Sequence, residues 1–195
     1  MKQHVTEIIF LLDRSGSMSG LESDTIGGFN ALIEKQRQLE GETIVTTVLF
    51  DDRYEILWNG VDAQEVRLTS KEYFVRGTTA LLDAVGKTIL DVSQRLSGLS
   101  RRELPDEVLF VITTDGMENA SQEFTYEKVQ SLIHKQKKEY DWQFVFLGAN
   151  IDVVEEAGRI GIDVEDAFDF DASSDGVVKM FNQVNEIVME KRSHR

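Results

Sequence analysis

The chain has 195 residues, 41% of them hydrophobic and 29% charged, with one proline and no cysteine. That composition suits one soluble globular domain with a real core, and the lack of cysteine excludes disulfide frameworks and thiolate metal sites. A formal net charge of -14 disfavours nucleic acid and anionic lipid as partners and favours cations.

No linker, repeat or low-complexity stretch interrupts the sequence, so residues 1–195 are expected to form a single domain. The first apolar run, residues 8–12, is too short to span a membrane and carries no signal-peptide cleavage site. The chain is therefore expected to be cytoplasmic, with no membrane partner.

Residues 8–12 read as a strand buried on both faces, which breaks at Asp13-Arg14-Ser15-Gly16-Ser17. Ile26, Phe29, Leu32, Ile33 and Leu39 then follow helical spacing. Residues 43–50 and 54–58 are β-rich and separated by only three residues, so they form a hairpin whose second strand sits at a sheet edge. Asp51-Asp52 serves that turn. Leu82, Val85, Ile89, Val92 and Leu96 mark an amphipathic helix.

Residues 108–112 form a second wholly apolar strand, ending at Thr113-Thr114-Asp115-Gly116. Thr125 is placed to cap a helix with Val129, Leu132 and Ile133 inward. Residues 144–147 form a third central strand, ending at Gly148-Ala149-Asn150. A short helix over 153–160, a weaker strand over 167–170 and a last helix follow. Ser174 is the expected cap of that helix, and Val177, Phe181, Val184 and Val188 form its buried stripe. Alternation of this kind predicts an α/β fold, a mostly parallel sheet with helices on both faces. Ligands of such folds bind beyond the carboxyl ends of the strands, where the polar loops fall.

Three of those loops stand out: Asp-x-Ser-x-Ser at Asp13, Ser15 and Ser17; Arg76-Gly77-Thr78-Thr79-Ala80 before a helix; and Asp115-Gly116 after an apolar strand. Together they resemble the metal-ion-dependent adhesion site of von Willebrand factor A (vWA) domains, and Asp13-Arg14-Ser15-Gly16-Ser17-Met18 is similar to a common bacterial form of that motif. The resemblance runs from Glu7 to about Phe170. It implies a Rossmann-like domain with strand order 3-2-1-4-5-6 and one antiparallel edge strand, which sets Asp13 and Asp115 across a crevice. The implied cation ligands are Asp13, Ser15, Ser17, Thr78 and Asp115, with Thr79 replacing Thr78 if that loop shifts by one.

All five are oxygen donors, which favours Mg2+, or Mn2+ or Ca2+, over Zn2+. Only two are carboxylates, so the cation stays electrophilic enough to accept an Asp or Glu carboxylate from a protein partner. Arg14, Glu118, Asn119 and Asn150 flank the site and are candidate partner contacts, although Glu118 and Asn119 are equally placed to cap the following segment. The resemblance implies a non-enzymatic binding module of a bacterial intracellular assembly or stress-response system.

The alternative is a Mg2+-dependent phosphatase or hydrolase of similar topology. Such phosphatases use Asp-x-Asp, and Ser15 occupies the second position here. No glycine-rich loop with a phosphate-binding lysine occurs either. The run from Asp169 resembles an EF-hand start but has Ser174 and Met180 where glycine and glutamate are needed. His4, His134 and His194 are too scattered for a zinc site or a catalytic triad.

Overall fold

The computed structural model describes residues 3–193, so the sequence-stretch ends, with His194, lie outside it. The strands are β1 (Val5–Asp13), β2 (Glu42–Phe50), β3 (Tyr54–Asp62), β4 (Glu107–Thr114), β5 (Gln143–Gly148) and β6 (Ala167–Asp169). The helices are α1 (Glu22–Arg37), α2 (Leu81–Ser97), α3 (Tyr126–Tyr140), α4 (Val153–Arg159) and α5 (Ser174–Ser193).

The strands form one sheet in the order β3-β2-β1-β4-β5-β6, and only the β2–β3 pair is antiparallel. The order is the one the resemblance implies, and the edge hairpin is the one read from the short connection. Its cause is local: the three residues between β2 and β3 can only reverse the chain, whereas every other connection between sequential strands carries a helix or a long crossover.

β1 is buried along its whole length, and its side chains alternate between two cores. Ile8, Phe10 and Leu12 face α1 and α5, with Phe29, Leu32, Val177, Phe181 and Val184. Ile9 and Leu11 face the other layer, with Val85, Ile89, Val129, Ile133, Phe110 and Phe146. At Gly28 an added Cβ would run into the ring of Phe181, so glycine is what lets α1 and α5 approach closely.

Two local details differ from the sequence reading. The helix α5 begins at Ser174, and Ser173 caps it, its Oγ accepting from the Gly176 N–H at 3.1 Å. Leu39 falls beyond the end of α1, half-buried in the connection to β2. Thr125 caps α3 as expected, accepting from the Lys128 N–H at 3.2 Å. Among the described residues no helix is long and apolar enough to cross a membrane.

Candidate metal centre

β1 and β4 lie side by side in parallel, with Leu12 paired to Thr113. The loops that leave their carboxyl ends must therefore start next to one another, although about a hundred residues separate them in sequence. Asp13 joins the two. Its Oδ1 accepts from the Ser15 N–H of its own loop at 2.7 Å, which tightens the turn that continues through Gly16–Met18. Its Oδ2 accepts from the Thr114 hydroxyl at 2.8 Å and from the Asp115 N–H at 3.3 Å. The buried Tyr73 hydroxyl donates to the Asp13 carbonyl at 2.7 Å and fixes the backbone beneath.

The hydroxyls line up from this anchor. Ser15 Oγ and Ser17 Oγ are 3.0 Å apart, and Ser17 Oγ donates to Asp115 Oδ1 at 2.5 Å. Asp115 Oδ2 is buried and has no hydrogen-bond partner. Burial pushes the Asp115 carboxyl up to about 6, and the charge of Asp13 adds to that against the Ser17 hydrogen bond. Burial likewise raises Asp13, opposed by its hydrogen bonds to the Ser15 loop and to Thr114 and Asp115. Two buried carboxylates side by side, both held above the usual range, form a site short of positive charge.

The glycine-threonine loop closes the third side. Gly16 N–H donates to the Gly77 carbonyl at 3.1 Å, joining that loop to the first one. Gly77 has φ +67°, and an added Cβ would collide with the Asp52 carboxylate, so the position suits glycine on both counts. Thr78 is exposed, whereas Thr79 is buried. A Cβ on Gly116 would stand 3.6 Å from Ser17 Oγ and 3.7 Å from Thr79 Oγ1, so those two hydroxyls lie over the same glycine beside Asp115.

The flanking residues take distinct places. Arg14 is buried: its guanidinium meets Glu55 at 2.8 Å and Asp51 at 3.5 Å, and lies 5.3 Å from the Phe74 ring centre. It is committed within the chain. Glu118 is also engaged, one oxygen accepting from the Leu82 N–H at 2.9 Å at the start of α2, the other from Ala120 and Ser121 N–H groups. Asn119 brackets Thr79, its Oδ1 accepting from the Thr79 N–H at 2.9 Å while its own N–H donates to the Thr79 carbonyl at 3.0 Å. Asn150 is exposed at the end of β5, in a left-handed conformation (φ 60°), and its amide donates to the Asp115 carbonyl at 3.3 Å.

Sequence reasoning missed three residues that hold the site. Thr114 could have been found, since it directly precedes Asp115 on an inward-ending strand. Tyr73 carries no motif. Asp51 was read as a turn residue, and it is one, but it also accepts from Arg76 Nε at 2.6 Å and its carbonyl accepts from the Ala80 N–H at 2.8 Å. The buried Asp51 thus ties the hairpin to the loop that carries Thr79. Among the described residues no three His, Cys, Asp or Glu side chains gather, so a cation in this crevice would depend on hydroxyls beside its two carboxylates.

No protein-family model and no curated protein sequence matches this chain. Solved structures do. Proximal thread matrix protein 1 of the mussel byssus superposes with a TM-score of 0.67 at 19% identity in the form described with a zinc-occupied MIDAS motif. The match covers 95% of this chain and 46% of that one, so this chain spans under half the length of the mussel protein. The manganese-loaded TRAP protein of Plasmodium vivax matches with a TM-score of 0.61 and 18% identity, over 92% of this chain and 72% of that one. The conserved hypothetical protein BatB of Bacteroides thetaiotaomicron gives 0.54 and 12%, over 94% and 99%.

Proposed function

For a chain with the von Willebrand factor A-like fold, we propose a divalent-cation-dependent binding module whose crevice captures a carboxylate of a protein partner. The observation that carries this reading is the buried, unpartnered Oδ2 of Asp115 among the hydroxyls of Ser15, Ser17 and Thr79. A buried carboxylate oxygen without a donor costs stability unless something positive meets it.

The donor set fits a hard cation: oxygen only, two carboxylates, three neutral hydroxyls. We assign Asp13, Ser15, Ser17 and Asp115 as the groups that would hold it, and Thr79 rather than Thr78, because the Thr79 hydroxyl is the one that shares Gly116 with Ser17. We take Mg2+ as the resident ion. The mussel protein described with zinc and the Plasmodium protein described with manganese support a divalent ion more broadly. When bound, the cation supplies an electrophilic position able to accept a partner's Asp or Glu oxygen.

The chain's own residues do the positioning. Thr114 and the Asp115 N–H hold Asp13 in place, Asn119 holds Thr79, and Asn150 holds the Asp115 backbone. Binding is favoured over hydrolysis because Glu118, the extra carboxylate beside the site, is spent on four donors: three backbone N–H groups and the Ser121 hydroxyl. It is not free to act as a general base. The bacterial motif resemblance extends the proposal to a component of an intracellular assembly or stress-response system.

The test is capture of partners by the immobilised chain in Mg2+ and in EDTA, beside an Asp13→Ala control. Partners retained equally in EDTA, or by Asp13→Ala, would overturn the reading, as would robust phosphatase turnover lost in that variant.

A further inference from the structure

At the other end of the sheet, where β4 begins and just before β5, lies a cavity of about 560 Å³. That volume falls within the range of small-molecule sites, roughly 300–1,000 Å³. We propose that it binds a small planar aromatic cation.

Its walls are apolar and partly flat. Leu96 and Leu104 line it with Trp142, which is 6% exposed and stacked on Phe110 with ring centres 5.4 Å apart, so the indole plane is fixed. Tyr140, 60% exposed, stands 6.4 Å from Trp142 at a 46° tilt. A flat guest can lie against the one ring and be flanked by the other.

Two polar side chains of the lining can meet a guest. Ser93 Oγ is buried without a hydrogen-bond partner. Gln136, 4% exposed, also lines the cavity and brings an amide to it. Buried polar atoms are normally satisfied, so the open Ser93 hydroxyl, with the Gln136 amide in the same lining, points to a ligand that meets them.

Charge selects the sign. α2 ends at Ser97 and α3 at Tyr140, and both residues line the cavity, so the negative ends of two helix dipoles converge there. Asp106, which also accepts from the Val5 N–H at 2.9 Å, and Asp141 add negative charge, and Lys135 is the one cationic residue among the described lining. A phosphate or carboxylate would be repelled. A protonated amine on an aromatic body gains from the carboxylates, the dipoles and the ring faces together.

The experiment is an NMR titration of the isotope-labelled chain with tryptamine and, separately, with indole-3-acetate, which share a ring and differ in charge. Tryptamine is expected to shift the Trp142 indole N–H saturably and leave that of Trp58, on β3, in place. Indole-3-acetate should bind at least about tenfold more weakly. Leu104→Trp, which fills the cavity, should abolish the tryptamine shift. Gln136→Leu, which keeps the volume and removes the amide, should weaken binding by about fivefold or more. If Leu104→Trp does not give a folded spectrum, Gln136→Leu decides. No saturable shift with tryptamine, equal affinity for the two compounds, or unchanged binding in Gln136→Leu would overturn the proposal.

Discussion

Ser17 donates its hydroxyl to one oxygen of Asp115 at 2.5 Å, while the other oxygen of that carboxylate is buried with no partner. One residue of the first loop and one just after β4 thus meet in the shell proposed for the cation. If a cation completes it, Mg2+ should stabilise the folded chain by mass action, about 2.7 kcal/mol at a hundredfold excess over Kd. Thermal melts with and without Mg2+ check this. Asp13→Ala and Asp115→Asn should each lose that increment and still give a cooperative transition.

The raised carboxyl of Asp115 sets a pH signature. Its folded value, about 6, exceeds the unfolded value near ~3.9. The proton is therefore held more tightly in the folded state. Without cation, the contribution of this group to stability is fully present below about pH 4 and is lost as pH rises through about 6, on the order of 2 kcal/mol. Asp13 acts in the same direction. Urea denaturation at pH 5 and pH 7 should show that difference shrink in Asp115→Asn. Cation affinity should run the opposite way and fall below about pH 6, because protons compete for the ligands. A calorimetric Mg2+ titration that is unchanged between the two pH values would contradict this.

The two threonines separate cleanly. Thr79 is buried over Gly116 and Thr78 is exposed. Thr79→Val should weaken Mg2+ binding by about tenfold or more, and Thr78→Val by less than about twofold. Calorimetry on the two variants distinguishes them, and the reverse ranking would return the role to Thr78.

Gly77→Ala should destabilise the fold. The position has φ +67°, and the new Cβ would press on Asp52. The conformational cost alone is about 1–2 kcal/mol, and the collision adds to it. Chemical denaturation gives the number. The loop carrying Thr79 should also bind cation more weakly, since Gly77 bonds to Gly16 of the first loop.

Arg14 is the strongest structural prediction away from the crevice. Arg14→Ala removes a buried guanidinium from Asp51 and Glu55. Breaking such a pair from one side costs about 3–5 kcal/mol, reduced here because Arg76 still meets Asp51 at 2.6 Å. Glu55→Gln should cost much less, because that partner is partly exposed. A urea midpoint for Arg14→Ala equal to wild type would refute the assignment.

Much was legible from residue order alone. The two wholly apolar strands, the hairpin after Phe50 and the helix stripes are statements about periodicity and chain length between turns, and both are local properties. They fixed the alternation, and the alternation with its one short reversal points to a mostly parallel sheet with an antiparallel edge. Asp13, Ser15, Ser17 and Asp115 could be proposed as ligands because they lie at the end of a strand, or in the loop after one, whose end was readable. The helix cap slipped from Ser174 to Ser173 because two adjacent serines offer the same hydroxyl, and only the backbone decides which one precedes the first turn.

The rest belongs to the tertiary structure. Which of two neighbouring threonines turns inward depends on the backbone at Gly77 and on Asn119, forty residues further along. Arg14 reads as a surface residue of a polar loop until Asp51 and Glu55, brought by a different hairpin, draw it into the interior. Sequence determines what a residue can donate, accept or bury within its own turn. Which distant group it meets is set only when the sheet places β1 beside β2 and β4, because burial and partner choice are properties of packed neighbours and not of the chain.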